Sequence, residues 1–64
     1  WAAALALFRL EDPEGDDYVI SALQSREPAV WAEAIAALSR RTGEQHGRDV
    51  QAWRSALRRW RRAR

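Results

Sequence analysis

Few residues of this 64-residue chain have types that could do chemistry, and the first to consider is its single histidine. His46 lies in the segment TGEQHGR, between two glycines. A zinc site needs three or four ligands, and the chain has no second histidine and no cysteine to supply them. A catalytic base needs a nucleophile and an orienting partner, and neither is apparent in the sequence. We therefore expect no catalysis, no metal and no cofactor in this chain.

A cluster of carboxylates is the second candidate site. Its members are Glu11, Asp12, Glu14, Asp16 and Asp17. Paired carboxylates serve acid–base chemistry or bind Ca²⁺, but the spacing and the missing terminal Glu do not fit an EF-hand loop. Asp before Pro is a good helix N-cap, and acids in a first turn suit the positive end of the helix dipole. We expect these acids to be capping and solvated groups.

Arginines crowd the end of the chain, where residues 48–64 hold seven Arg and one Asp, a net +6 within a whole-chain charge of +2. The last of them are Arg54, Arg58, Arg59, Arg61, Arg62 and Arg64. With Trp53 and Trp60 interleaved, they could grip phosphates and stack bases, lie on an anionic membrane, or meet an acidic protein. We favour a solvated outer face, because cations suit a helix C-terminus. The side chains expected to meet water are Arg54, Arg58, Arg61 and Arg62.

Two tryptophans, Trp1 and Trp31, form the last candidate surface. Trp is enriched at binding hot spots, so two exposed rings would make an aromatic stripe on one side of the molecule. The alternative is that both rings pack against neighbouring helices, because Trp is usually largely buried. The sequence leaves these two interpretations open.

The elements that position these residues are helices. Trp1, Leu5 and Phe8 recur at helical spacing within the first ten residues. A second helix follows Asp12 and Pro13, and because Gly15 weakens its first turn, we expect the regular helix to begin near residue 16. Strand alternation and hairpin signals are absent from the sequence.

Two further helices follow, with clear end signals. Pro28 opens the third helix, and Gly43 is a natural C-terminal stop. Asp49 is a good N-cap for the fourth helix. The apolar residues of the fourth helix are spaced 3, 4, 3 and make a narrow stripe; they are Val50, Trp53, Leu57 and Trp60. We expect Trp53 to be well buried, and the stripe to pack chiefly on Val30, Ile35 and Leu38.

The chain also repeats itself. WAAALALF at the start aligns with WAEAIAAL at an offset of 30 residues, with four identical positions. In FRLEDPEGDDYVISALQSREPAVWAEAIAALSRRTG, a Leu-acid-Asp-Pro turn, a helix of the form YVISAL and an acid-Pro-x-Val start follow in order. This pattern resembles the short bacterial HEAT-like repeats of the PBS-lyase type, with units near 30 residues. The tail TGEQHGRDVQAWRSALRRW is similar to the closing element of such arrays.

The resemblance implies an all-α, two-repeat HEAT-like or armadillo-like stack of antiparallel helices, an α-solenoid fragment with four helices. Residues 1–64 would form one domain. Within it, 1–11 would be the second helix of a truncated repeat, 12–43 a complete helical hairpin, and 48–64 a C-terminal capping helix. The chain departs from the family at Arg41, where such repeats usually place Leu, and at Trp1 and Trp31, where they usually place Arg.

The function that the resemblance implies is protein binding or scaffolding, at the C-terminal end of a longer solenoid and with another protein as partner. Nucleic-acid binding through the arginine-rich last helix is the alternative. Self-association through the first helix is a further option, because a truncated helix leaves partly uncovered flanks on Trp1, Leu5 and Phe8. No apolar run approaches the roughly 20 residues that span a bilayer. The absence of cysteine fits a cytoplasmic location.

Overall fold

The structure, a computed structural model, describes residues 1–63 and contains helices but no strand over that range. Its helices are α1 (Ala2–Arg9), α2 (Pro13–Ala22), α3 (Pro28–Thr42) and α4 (Val50–Arg62). α2 is the central element, because it packs against α1, α3 and α4, and α4 also packs against α3. The prediction of an all-α chain with four helices is confirmed.

The helix ends follow the local signals in the sequence. The Asp12 carboxylate accepts a hydrogen bond from the Glu14 amide at 2.9 Å, and the Asp49 carboxylate accepts one from the Ala52 amide at 3.0 Å. Each bond satisfies an amide that has no partner within its own helix. Gly43 ends α3 with φ 75°, a left-handed conformation that glycine adopts without a steric cost.

Gly15 lies inside α2, so the expectation that the regular helix begins near residue 16 is wrong. An ideal Cβ built on Gly15 would lie 2.4 Å from the Phe8 amide nitrogen and 2.5 Å from the Leu7 carbonyl carbon. Any side chain at this position would therefore collide with the α1 backbone. The glycine that weakens α2 locally is what allows α1 and α2 to touch.

The core draws residues from all four helices. The largest fully buried side chains are Trp53, Leu23, Leu38 and Val19. The expected burial of Trp53 is confirmed at 0% exposure, and Leu57 and Ala56 are buried beside it on α4. Val50 and Trp60, the ends of the predicted stripe, are half-buried. The stripe was therefore placed on the correct face, although it omitted Ala56.

The first helix is less open than expected. Trp1 is 38% exposed and Leu5 is half-buried, as a helix with one uncovered flank should be. Phe8, however, is only 2% exposed, so the expectation of an uncovered flank is wrong for this residue. Its ring is covered by the Arg41 side chain of α3, which reaches across to α1.

Candidate interaction surfaces

A buried carboxylate lies where the helices meet. Asp16 of α2 is 8% exposed. The Arg61 Nε of α4 donates to Asp16 Oδ2 at 3.1 Å, and Arg61 Nη2 donates to the same oxygen. Arg41 Nη1 of α3 lies 3.5 Å from Asp16 Oδ1. The expectation that all five acids are capping or solvated groups is thus wrong for Asp16. This carboxylate forms ion pairs with Arg41 of α3 and Arg61 of α4.

Arg41, which is paired with Asp16, also contacts α1. Its Nη2 donates to the Phe8 carbonyl oxygen, and its guanidinium carbon lies 3.8 Å from the centroid of the Phe8 ring. The Trp60 ring of α4 lies on the same group, with its centroid at 5.0 Å. Burial lowers the pKa of the Arg41 guanidinium, while the Asp16 carboxylate acts in the opposite direction. Asp16 is therefore the counter-ion that makes a buried arginine tolerable.

Most of the α4 arginines are engaged with acids of this chain. Arg61 pairs with Asp16, Arg54 Nη1 lies 3.2 Å from Asp17 Oδ1, and Arg59 Nη2 lies 2.6 Å from Glu44 Oε1. These acids belong to α2 and to the loop before α4. The arginines therefore tie the last helix to the elements that precede it.

The expected solvent-facing arginines divide into two kinds. Arg58 and Arg62 are exposed, and within residues 1–63 neither has an acidic partner; Arg58 only donates to Ser55 Oγ at 3.3 Å. All four face water as expected, and Arg54 and Arg61, with 44% and 37% side-chain exposure, are in addition paired with Asp17 and Asp16. Arg64, which also belonged to the predicted stripe, lies outside the described residues.

The two candidate tryptophans have different neighbours. Trp1 is 38% exposed, and its Nε1 donates to Glu33 Oε2 of α3 at 2.7 Å. Trp31 is half-buried beneath the Arg48 guanidinium, whose carbon lies 4.9 Å from the ring centroid. Arg48 is itself fixed, because its Nε donates to the Leu23 carbonyl oxygen at 2.8 Å. Trp1 therefore remains available as an exposed ring, whereas Trp31 is partly covered by the loop before α4.

The loop between α3 and α4 holds the lone histidine in a structural contact. His46 Nε2 lies 2.8 Å from Glu44 Oε1, and the His46 ring meets the Trp53 ring edge-on at 4.9 Å. Trp53 Nε1 donates to the Gly47 carbonyl oxygen at 2.8 Å. The hydrogen bond with His46, and then the bond with Arg59, lowers the pKa of Glu44. The loop is thus bound to α4 at two points, at Gly47 through Trp53 and at Glu44 through Arg59.

Residues 1–63 contain no group of three or more His, Cys, Asp or Glu side chains that could hold a metal ion. None of their helices is long and apolar enough to cross a membrane.

Two clefts open between the helices. The larger, about 530 Å³, lies between α1 and α3, and its lining residues are Leu5, Phe8, Arg9, Glu33, Ala37, Arg40 and Arg41. The smaller, about 250 Å³, lies between α2 and α4. In the smaller cleft Asp16 and Asp17 are paired with Arg61 and Arg54. The larger cleft holds two arginines without an acidic partner in residues 1–63, Arg9 and Arg40, and the smaller cleft holds one, Arg58.

Sequence reasoning missed the buried ion pairs, although a periodic signal for them exists. Asp16 precedes Val19, Ile20 and Leu23 by three, four and seven residues, which places it on the buried face of α2. Arg41 follows Ala34 and Leu38 by seven and three residues, which places it on the buried face of α3. A charged residue in register with an apolar stripe needs a counter-ion, and two such residues of opposite sign predict each other.

No protein-family model, curated protein or solved structure matches this chain.

Proposed function

We propose that this chain is a protein-binding or scaffolding unit, and that α4 closes the core of a HEAT-like helical repeat array. A stack of helical repeats must end its hydrophobic core, and a terminal element does so with an apolar inner face and a polar outer face.

The observation that carries the proposal is the engagement of the arginines of α4. Trp53 and Leu57 are buried against the other helices, while Arg54, Arg59 and Arg61 pair with acids of the preceding elements. A helix meant for an external anion would keep its guanidinium groups free for that anion. Here three of them hold α4 in place, which favours a cap.

The contacts between the helices support a stack of helical hairpins. α2 packs directly on α4, and α1 is joined to α3 through Trp1 with Glu33 and through Phe8 with Arg41. Alternate helices are therefore linked, α2 with α4 by direct packing and α1 with α3 through side chains, as expected where successive helical hairpins stack. The repeat offset of 30 residues relates α1 to α3, which are the two helices that these side chains join.

The runner-up function is nucleic-acid binding, and one observation favours it. Arg58 and Arg62 of α4 are exposed and have no acidic partner within residues 1–63. Two free arginines amount to a weak electrostatic site, since each phosphate contact adds about one unit to the salt dependence of binding. We therefore rank this function below protein binding.

Salt-dependent binding to a non-specific DNA duplex separates the two. For the proposed cap we expect no binding, or a slope of log affinity against log salt no steeper than about −2, the value for two phosphate contacts. A slope near −5, corresponding to about six contacts, would mean that the paired arginines exchange their acids for phosphates. Arg58→Gln with Arg62→Gln is the matched control, because these changes should abolish whatever weak binding the free pair supports.

A further inference from the structure

The cleft between α1 and α3 combines an apolar floor with a basic rim. We define the floor by its buried and half-buried residues, Leu5, Phe8 and Ala37. The rim consists of the exposed side chains of Arg9 and Arg40. Pockets that hold small ligands or peptide side chains have volumes of about 300–1,000 Å³, and this cleft lies in that range at about 530 Å³.

The charges of the cleft are unbalanced toward cations. Three arginines and one glutamate line it, which gives a net +2. Arg41 donates to the Phe8 carbonyl oxygen and is ion-paired with Asp16, and Glu33 accepts a hydrogen bond from Trp1. Arg40 makes only a long 3.4 Å bond to the Ala36 carbonyl oxygen, and Arg9 has no side-chain partner within residues 1–63. The two rim arginines therefore remain free to bind carboxylates.

The floor excludes one class of anionic ligand. Single-stranded nucleic acids bind by stacking bases on exposed aromatic faces. The one aromatic ring of this cleft, that of Phe8, is 2% exposed and has the Arg41 guanidinium 3.8 Å from its centroid. No ring face is left for a base in the cleft, whereas the apolar edges of Leu5 and Ala37 suit an aliphatic or aromatic side chain.

We propose that the cleft between α1 and α3 binds an acidic segment of a partner protein. The segment places one large apolar side chain on Leu5 and Ala37, and flanking carboxylates at Arg9 and Arg40. The planar guanidinium group accepts a carboxylate in a two-pronged hydrogen-bonded pair, which favours an acidic peptide over a neutral one. This inference rests on the proposed protein-binding function and specifies the chemistry of the partner.

The test uses three labelled octapeptides and the 64-residue chain in a fluorescence polarisation assay. EDELFDED carries acids and an apolar centre, EDEGGDED lacks the apolar centre, and KRKLFKRK reverses the charge. We expect EDELFDED to bind at least about tenfold more tightly than either of the others. Arg9→Glu and Arg40→Glu should each weaken its binding about tenfold or more, because each removes a charge-assisted bond and adds a repulsion.

The control is Arg58→Glu, which makes the same charge change at an exposed arginine that lines the other cleft. It should leave the affinity for EDELFDED within about twofold. Binding that the rim variants leave unchanged, or no binding of EDELFDED up to about 1 mM, would overturn the inference. Circular dichroism of each variant separates lost binding from lost folding. A failed peptide assay leaves the DNA slope unaffected, so the cleft and the proposed function fail independently.

Discussion

Arg41 of α3 lies across the ring of Phe8 of α1, with its guanidinium carbon 3.8 Å from the ring centroid. The same guanidinium donates to the Phe8 carbonyl oxygen, so a single side chain binds both the ring and the backbone of one residue. α1 packs directly only on α2, and Arg41 links its C-terminal end to α3 as well. The position of α1 therefore depends on a buried cation and on the acid that neutralises it.

Removing that acid should destabilise the fold strongly. Asp16→Asn keeps the shape of the side chain but leaves Arg41 buried without a counter-ion, at about 10% side-chain exposure. Breaking a buried ion pair from one side costs about 3–5 kcal/mol. Asp17→Asn is the matched control, because Asp17 is 73% exposed in its pair with Arg54 and should cost about 0–1 kcal/mol. Urea unfolding in a stabilising osmolyte measures both.

A second substitution should repair the first. Adding Arg41→Leu to Asp16→Asn removes the uncompensated charge, and an apolar side chain then covers the Phe8 ring. Breaking such a pair from one side costs about 3–5 kcal/mol, whereas removing both charges is often nearly neutral, so the double variant should recover part of the loss of Asp16→Asn. Equal stabilities for the single and double variants would mean that Arg41 does not need Asp16.

Gly15→Ala should destabilise the chain even though alanine favours helices. The new Cβ would lie 2.4 Å from the Phe8 amide nitrogen, so α1 and α2 would have to separate. Overpacking of this kind costs about 1–3 kcal/mol, against a helix-propensity gain of about 0.5–1 kcal/mol. Ser21→Ala, an exposed change on the same helix, controls for propensity and should stabilise slightly. A melting temperature raised by both changes would contradict the close contact.

The Glu44 contact predicts a pH effect with a defined sign. Its carboxyl pKa is lowered from 4.5 in the folded chain, first by the hydrogen bond with His46 and then by that with Arg59. A lowered folded-state pKa stabilises the fold above about pH 4.5, and this contribution is lost as the pH falls through the folded value. Carboxyl NMR titration should show the Glu44 pKa rising toward 4.5 in His46→Phe, which keeps a ring beside Trp53. An unchanged pKa in that variant would assign the shift to Arg59 alone.

The helix ends were predictable because their causes are local. Asp12 and Asp49 accept hydrogen bonds from amides two and three residues along, and Gly43 needs only its own backbone conformation. The burial of Trp53 follows from the helical period, which is also a short-range property. These features need no knowledge of which helix is the neighbour.

The ion pairs around Asp16 depend on which faces of the helices pack together. Local sequence patterns do not predict that packing. An acid in a first helical turn is equally suited to the helix dipole, so the capping interpretation of Asp16 had a sufficient local reason. The role of Gly15 was equally ambiguous in the sequence, because glycine is consistent both with a weak first helical turn and with a close contact between two helices. The free arginines of the α1/α3 cleft, Arg9 and Arg40, stand 31 residues apart in the sequence, and only the packing brings them to one cleft.

The proposed role of α4 as a cap is tested most directly by the free energies of unfolding of Trp53→Ala and Arg58→Ala, measured side by side. Trp53 is 0% exposed and donates to the Gly47 carbonyl oxygen, so its truncation should cost about 3–5 kcal/mol. That loss would unfold much of a chain whose total stability is about 3–10 kcal/mol, and the milder Trp53→Phe keeps the comparison measurable. Arg58→Ala should stay within about 0.5 kcal/mol of the unchanged chain, because the residue is exposed. A replaceable Trp53 together with a destabilising Arg58 change would contradict the account, and the arginine face would then be the contact surface.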